Sequence, residues 1–277
     1  MTVVTPQRPE QKAAPNPYPG ETLDSDGHLY VHPDLYREIL PELAQLRFLE
    51  RLLPIDLLFP LIDALPFDQA DRAPDATFAT LGRRHATPVE VITALDAATR
   101  ARFATLAPDL VIVARFSHLF DAASIAIPRH GILNVHPGRL PGYAGLHAPL
   151  RAVTDGAGAF GCSVHWITPG IDDGPLLNVI DQPIDLAGNL LDQTAALYPL
   201  AIPTLLAAIE ACAAGHRPAG TPQDLRLRRY HSMPDAAPFA ALARLGMKLW
   251  HPDALAAWLG RYLPPGVALP PLPGALR

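Results

Sequence analysis

Short apolar runs alternate with amphipathic segments in the middle of this chain. Helical spacing follows Asp96, which is a suitable cap, up to Leu106, and a longer helical pattern covers Leu190–Ala213. Three continuous runs are typical of strands buried on both faces: Asp109–Ala114, Gly131–His136 and Gly161–Ile167. This alternation predicts an α/β fold with a mostly parallel sheet and helices on both faces.

The two ends of the chain have different patterns. The first 30 residues are polar and Pro-rich, and a strand at Asp224–His231 and helices at Phe239–Leu249 and Asp253–Leu263 are predicted near the C-terminus. We therefore divide the chain into a flexible arm (1–30), an α/β domain (31–215, divergent over 31–85) and a C-terminal strand and helical extension (216–277).

Composition excludes several classes of function. The 277 residues carry a net charge of −5 and no long run of Lys or Arg, which argues against a nucleic-acid surface. Prolines and aspartates interrupt the apolar stretch Leu52–Leu65, and the N-terminus lacks the apolar core of a signal peptide, so we predict a cytoplasmic protein without membrane contact. Cys162 and Cys212 make no disulfide framework, and the His spacing predicts no metal site.

Asn134 and His136 form the first candidate site. Residues two apart in a strand point to the same face, so an amide and an imidazole lie side by side where the predicted strand ends. Ligands bind at such strand ends in parallel α/β sheets. On this spacing alone, His136 could equally end a strand while Asn134 stabilises a turn.

The loop Gly170–Pro175 is the second candidate site. It places Asp172 and Asp173 directly after a predicted buried strand. Asp, Gly and Pro are also the usual residues of turns, so this loop alone indicates no chemistry.

Together, the two sites and the strand between them resemble the folate-dependent formyltransferases, the family of glycinamide ribonucleotide and methionyl-tRNA formyltransferases. The resemblance covers residues 85 to 215 and implies a Rossmann-like fold. Three ordered blocks carry it: Asn134-Val-His136-Pro137-Gly138-Arg139-Leu140-Pro141-Gly-Tyr143-Ala-Gly145, Gly161-Cys-Ser163-Val-His165 and Ile171-Asp172-Asp173-Gly174-Pro175. Gly138 and Arg139 replace the Ser and Leu that the family usually has.

The resemblance implies that a formyl group passes from 10-formyl-tetrahydrofolate to the amine of a small-molecule acceptor. The implied catalytic residues are Asn134 and a protonated His136, which stabilise the oxyanion, and Asp172, which keeps His136 charged and helps to carry the proton away. The implied folate-binding residues are Arg115, Phe116, Ser117, Leu119, His165 and Asp173. The implied acceptor-binding residues are Arg139, Tyr143, His147 and Tyr230. Several of these residues also have a bland interpretation: His165 as a core histidine, His147 as a neighbour of a helix start, Arg139 and Asp173 as solvated loop residues, and Tyr230 as part of a packed C-terminal flap.

Two departures from the family narrow the expected acceptor. The chain has no Gly between Gly27 and Gly82, so it lacks the Gly-rich turn that holds a ribonucleotide phosphate, and it lacks a basic C-terminal barrel for transfer RNA. We therefore expect a specialised or natural-product pathway, and a homodimer is one arrangement the sequence permits. The alternatives are a related enzyme that uses the same residues for hydrolysis or for folate-independent dehydration or cyclisation, and a non-catalytic binding protein.

Overall fold

A computed structural model describes residues 94–116, 118–251 and 253 of the chain. The predicted arm, the divergent segment 31–85, Ser117 and the predicted helix after Asp253 lie outside these residues, so the proposed domain division stays a prediction. In chain order the elements are α1 (Ala97–Thr105), β1 (Val111–Ala114), α2 (Ala122–Ile125), β2 (Ile132–His136), β3 (Ala144–Gly145), α3 (Ala148–Thr154), β4 (Ala159–Trp166), β5 (Leu176–Pro183), α4 (Leu190–Ala213), a 3-10 turn (Leu225–Leu227), β6 (Tyr230–His231) and α5 (Ala236–Arg244).

The larger sheet has the strand order β1-β2-β4-β5. β1 and β2 are parallel, whereas β2 with β4 and β4 with β5 are antiparallel. The α/β class is therefore confirmed, with a mixed sheet among the described strands. Seven of the eight positions of β4 are buried, and this burial, not a parallel direction, accounts for the run that was typical of a strand buried on both faces.

The two faces of the sheet have different roles. Cross-strand partners in an antiparallel pair share a face, and two such pairs, Leu133 with Trp166 and Val135 with Val164, belong to the hydrophobic core. α3 and α4 contribute to the same core cluster and contact β4. The alternate pairs, Asn134 with His165 and His136 with Ser163, therefore project to the opposite face, so that the polar side chains of β2 and β4 collect there.

α4 is the long helix that covers the core face. It spans the predicted residues, begins at the side-chain cap of Asn189 and buries Leu197, Tyr198 and Ala201 completely. Within the described part of the chain, α4 is the helix that is long and apolar enough to cross a membrane by composition. Its apolar residues instead pack against the sheet, as expected for a core helix. The cytoplasmic location stays a prediction.

The C-terminal part differs from its predicted elements. The expected strand Asp224–His231 is wrong over most of its length, because Asp224 caps the 3-10 turn, leaving the two-residue strand β6. β6 pairs in parallel with β3. The predicted helix at Phe239–Leu249 is shifted: α5 begins at the cap of Asp235 and ends at Arg244. The chain thereby returns across the loop that follows β2.

Candidate active site

A cavity of about 280 Å³ lies where β1 and β2 end. Asn134, His136, His165 and Asp172 all line it, so three sequence segments that are far apart in the chain meet at one place. Because Val113 pairs with Asn134 in the parallel register, the residue after β1, Arg115, reaches the level of His136 and also lines the cavity.

His165 orients the amide of Asn134. The Nδ1 atom of His165 lies 3.0 Å from the backbone carbonyl oxygen of Trp166 and must donate to it, so a neutral ring has its lone pair on Nε2. That lone pair accepts from the Asn134 Nδ2 atom at 3.1 Å. Asn134 therefore presents an amide donor to the cavity, with one Nδ2 hydrogen left for a ligand oxygen.

His136 is held between a carbonyl and a carboxylate. Its Nε2 atom donates to the backbone oxygen of Tyr143 at 2.6 Å, and its Nδ1 atom lies 3.6 Å from Asp172 Oδ2. Burial lowers the pKa of His136 below its ordinary value of 6.5, despite the opposing attraction of Asp172 and the Tyr143 carbonyl. Burial thus opposes the expected protonated form of His136 while Asp172 favours it, and the charged role of His136 stays a prediction.

Asp172 is an ionised carboxylate in a strained position. Its backbone has φ +51°, in the left-handed region, and its Oδ2 accepts from the Gly145 amide at 2.7 Å. Burial alone would raise the pKa of Asp172, but the imidazoles of His136 and His165 together with the Gly145 amide hold it well below 3.8. Asp172 is thus placed to stabilise a positive charge on either ring.

The loop after β2 is held by close packing that depends on Gly138. A Cβ atom on Gly138 would lie 2.6 Å from both His136 Nε2 and the Tyr143 oxygen, so a side chain there would intrude on their hydrogen bond. The Ser163 hydroxyl donates to the Gly138 oxygen at 2.6 Å and accepts from the Leu140 amide at 3.1 Å. Gly138 is therefore the residue that this arrangement of the loop requires.

A segment that sequence reasoning missed holds the Asp172 loop. Gln223 Nε2 donates to the backbone oxygens of Asp172 at 3.1 Å and of Gly174 at 2.7 Å. Arg228 Nη2 donates to the Ile171 oxygen at 2.8 Å. We call residues 221–231 the strap. The resemblance implied a ligand role for Tyr230 near the end of the strap, but no motif marked Gln223 or Arg228, because a side chain that binds backbone carbonyls leaves no constraint on the residues it binds.

The strap also reaches the loop that follows β2. The Ala144 amide donates to the Arg229 oxygen at 3.0 Å, and the Leu146 amide donates to the His231 oxygen at 2.7 Å. A Cβ atom on Gly145 would collide with the His231 backbone, so Gly145 is needed for this close approach. The strap thus connects the loop that orients His136 with the loop that carries Asp172.

The predicted ligand-binding residues divide into two groups. The structure brings to the cavity Arg115, Phe116, Leu119, His147, His165 and Tyr230. Arg139, Tyr143 and Asp173 are not among its described lining residues. Arg139 pairs with Asp181 at the surface, Tyr143 contributes its carbonyl to His136, and Asp173 accepts from the Thr168 hydroxyl. The ligand roles assigned to all these residues stay predictions.

Comparison with known proteins agrees with this geometry. Residues 69–195 match the sequence model described as formyl transferase. This segment is therefore similar to the formyl transferase family, and we call it the formyl transferase domain. The formyl transferase domain contains Asn134, His136, His165 and Asp172, whereas the strap lies beyond it. Within the described parts of the chain, no three His, Cys, Asp or Glu side chains are grouped to hold a metal ion.

Individual relatives of the formyl transferase domain cover only part of the chain. Methionyl-tRNA formyltransferase of Pseudomonas fluorescens is 37% identical over 123 residues, which is 43% of this chain and 38% of the relative. Phosphoribosylglycinamide formyltransferase of Escherichia coli is 34% identical over 103 residues, 35% of this chain and 49% of the relative. The crystal structure of glycinamide ribonucleotide transformylase 1 from Symbiobacterium toebii aligns with TM-score 0.47 at 28% identity, over 55% of this chain and 76% of that one. The chain thus matches less than half of the length of either curated relative.

Proposed function

We propose that this protein transfers the formyl group of 10-formyl-tetrahydrofolate to the amine of a small-molecule acceptor. The observation that carries the proposal is the convergence of Asn134, His136 and Asp172 in one open cavity within a formyl transferase domain. The departures from the family at the N-terminal half support a specialised or natural-product acceptor over a ribonucleotide or a transfer RNA.

The cavity has a wall suited to a flat ring. The rings of Phe116 and Phe120 stack with centroids 4.9 Å apart, and Ile167 adds an apolar side chain to the same lining. Aromatic faces of this kind bind planar heterocycles such as a pterin. These residues follow β1, next to Asn134, so a donor bound against them would have its formyl group close to the polar side chains.

Asn134 stabilises the charge that develops on the formyl oxygen. When the acceptor nitrogen bonds to the formyl carbon, the carbonyl oxygen becomes an oxyanion, and a fixed amide donor lowers the energy of that state. The Nδ2 hydrogen of Asn134 that is not bonded to His165 donates to this oxyanion. The bond to His165 also fixes the orientation of the amide, so that Nδ2 and not the side-chain oxygen faces the formyl group.

His136 and Asp172 carry the proton. The amine gains positive charge as it attacks and must lose one proton, which the neutral form of His136 accepts at Nδ1; burial favours that form. Asp172 stabilises the resulting imidazolium across the 3.6 Å between Oδ2 and Nδ1. The bond between the formyl carbon and N10 of the folate then breaks, and N10 receives the proton, giving the formamide and tetrahydrofolate.

The test measures formyl transfer by the full-length protein. Purified protein is incubated with 10-formyl-tetrahydrofolate and a panel of amines, and formamides and tetrahydrofolate are detected by mass spectrometry. Asn134→Ala is expected to lower the rate roughly 100- to 1,000-fold, as for the loss of one oxyanion donor. Asn178→Ala is the matched control, since Asn178 is exposed on β5 and bonds only to Thr204 within the described residues.

Two results would contradict the proposal. An Asn134→Ala protein as active as the Asn178→Ala control would remove the oxyanion role. A wild-type protein that binds no reduced folate would favour the alternative in which the same side chains perform hydrolysis, dehydration or cyclisation without folate.

A further inference from the structure

Arg115 is a cation in a strained backbone position at the cavity. Its φ of +57° lies in the left-handed region, which favours glycine, and it directly follows β1. Strain of this kind persists at sites where a side chain has a role that a relaxed residue could not fill. The position therefore calls for an account of what the arginine does.

The guanidinium of Arg115 has a hydrogen-bond donor that no acceptor among the described residues satisfies. Its Nε atom is buried and donates to no acceptor among the described residues, although Arg115 lines the cavity. A buried donor without an acceptor costs free energy in the empty site and is relieved when a ligand supplies one.

The charge of the cavity points to an anionic ligand. Among the described lining residues, Asp172 supplies the carboxylate, and the Gly145 amide and the imidazoles of His136 and His165 already surround it. Arg115 has no ion pair with a carboxylate among the described residues, and its charge is one of the causes that lower the pKa of His136. Arg139, expected from the sequence to meet an acidic ligand, instead pairs with Asp181 outside the cavity.

We propose that Arg115 binds an anionic oxygen group of a ligand, a carboxylate or a phosphate, inside the cavity that holds Asn134, His136 and Asp172. The inference rests on the proposed function for the identity of the reaction, but not for the binding itself. Two ligands could supply the group: an acceptor amine that also carries an acid, or the glutamate tail of the folate. A guanidinium pairs with either through two parallel hydrogen bonds.

The experiment compares matched ligands by calorimetry on the full-length protein. The acceptor arm uses ethanolamine, β-alanine and phosphoethanolamine, which are short amines carrying a hydroxyl, a carboxylate and a phosphate. The donor arm uses tetrahydrofolate and 6-methyltetrahydropterin, which lacks the glutamate. The proteins are wild type, Arg115→Gln, Arg115→Lys and the control Arg129→Gln, whose arginine is exposed, pairs with Asp109 and is not among the described lining residues.

The proposal expects the loss of Arg115 to affect charged probes selectively. Arg115→Gln weakens at least one anion-bearing probe by roughly 10- to 100-fold while its neutral counterpart changes by less than about twofold. Arg115→Lys keeps part of the affinity, and Arg129→Gln keeps all of it. A loss confined to tetrahydrofolate assigns the anion to the donor, and a loss for β-alanine or phosphoethanolamine assigns it to the acceptor.

Three results would overturn the proposal. In the first, the wild-type protein binds no anion-bearing probe more tightly than the matched probe without the anion. In the second, the Arg115→Gln protein binds every probe with wild-type affinity. In the third, the Arg115→Gln protein loses affinity equally for probes with and without the anion. Formyl transfer is measured separately on the same samples. If Arg115→Gln selectively loses anion binding but the wild-type protein transfers no formyl group, the proposed function is rejected and this inference stands. If the wild-type protein transfers formyl groups but Arg115→Gln shows no selective loss of anion binding, the proposed function stands and this inference is rejected.

Discussion

Replacing Gln223 by alanine tests whether the strap positions the catalytic carboxylate. The change removes two hydrogen bonds, to the backbone oxygens of Asp172 and Gly174. Each is worth about 1 kcal/mol net, which sets an upper value of about 2 kcal/mol. The Gln223 Oε1 atom is buried and accepts no hydrogen bond from the described residues. Removing this unsatisfied atom offsets about 1 kcal/mol of the lost stability. We therefore expect the free energy of unfolding to fall by about 1 kcal/mol.

The effect on catalysis is expected to exceed the effect on stability. Asp172 has a strained backbone, and without Gln223 its loop can relax, so that Oδ2 moves away from His136 Nδ1. A displacement of about 1 Å at a reacting group can cost on the order of 100-fold in rate. We expect kcat to fall at least about 10-fold with little change in the KM for the folate, because Gln223 is not among the described residues that line the cavity.

The assay combines thermal unfolding with steady-state formyl transfer across pH. Arg226→Ala is the matched control, since Arg226 lies in the same strap, is exposed and pairs only with Asp224 within the described residues. Loss of the Asp172 contact should also shift the acid limb of the pH–rate profile, which a purely structural role would leave in place. The reasoning is refuted if Gln223→Ala and Arg226→Ala have the same melting temperature, the same kcat and the same acid limb.

Three further predictions follow from the site. Gly138→Ser, which restores the usual residue of the family, should lower turnover and destabilise the protein by about 1 to 3 kcal/mol through overpacking. The control Gly142→Ala should do neither, because its added Cβ would lie 3.7 Å from the nearest neighbour. Equal melting curves for the two variants would contradict this prediction. The pKa of His136 lies below 6.5 and that of Asp172 below 3.8. The contribution of both groups to the free energy of unfolding should therefore be complete above pH 6.5 and decrease on acidification, first below pH 6.5 and again below pH 3.8. Urea unfolding at each pH measures this. Burial raises the pKa of the Cys162 thiol to about 12, so iodoacetamide at pH 8 should label Cys162 only in denatured protein, as checked by peptide mass mapping.

The parts of the fold that the sequence predicts well are those set by local interactions. α4 matches its predicted bounds because a cap at Asn189 and a glycine at Gly215 with φ +80° surround an uninterrupted apolar pattern. The amide and imidazole at the end of β2 were predictable for the same reason, since strand periodicity alone places Asn134 and His136 on one face. Two prolines inside α4 did not alter its bounds.

Features set by packing between distant segments were not predictable. Burial looks the same in a parallel and an antiparallel strand, so the direction of β4 is not encoded in its own residues. The protonation state of His136 depends on how completely other segments exclude water, which no motif reports. Arg139 lies within the first motif block, yet its side chain pairs with Asp181 outside the cavity. The backbone of Arg139 packs directly against Gly161 of β4, which has no side chain to prevent this approach.

The arrangement of the proposed catalytic residues depends on backbone groups as much as on the motif side chains. The Tyr143 oxygen sets the proton of His136, the Gly145 amide binds Asp172, and the strap binds the carbonyls on either side of that carboxylate. These contacts come from the two loops and from the strap that joins them, and the strap lies outside the matched residues 69–195. A formyl transferase domain cut at residue 195 would keep every motif residue and the Gly145 amide, but it would lose the contacts of Gln223 and Arg228 with the Asp172 loop. Retention of the motif is therefore a weaker indicator of activity in this chain than the pairing of β3 with β6.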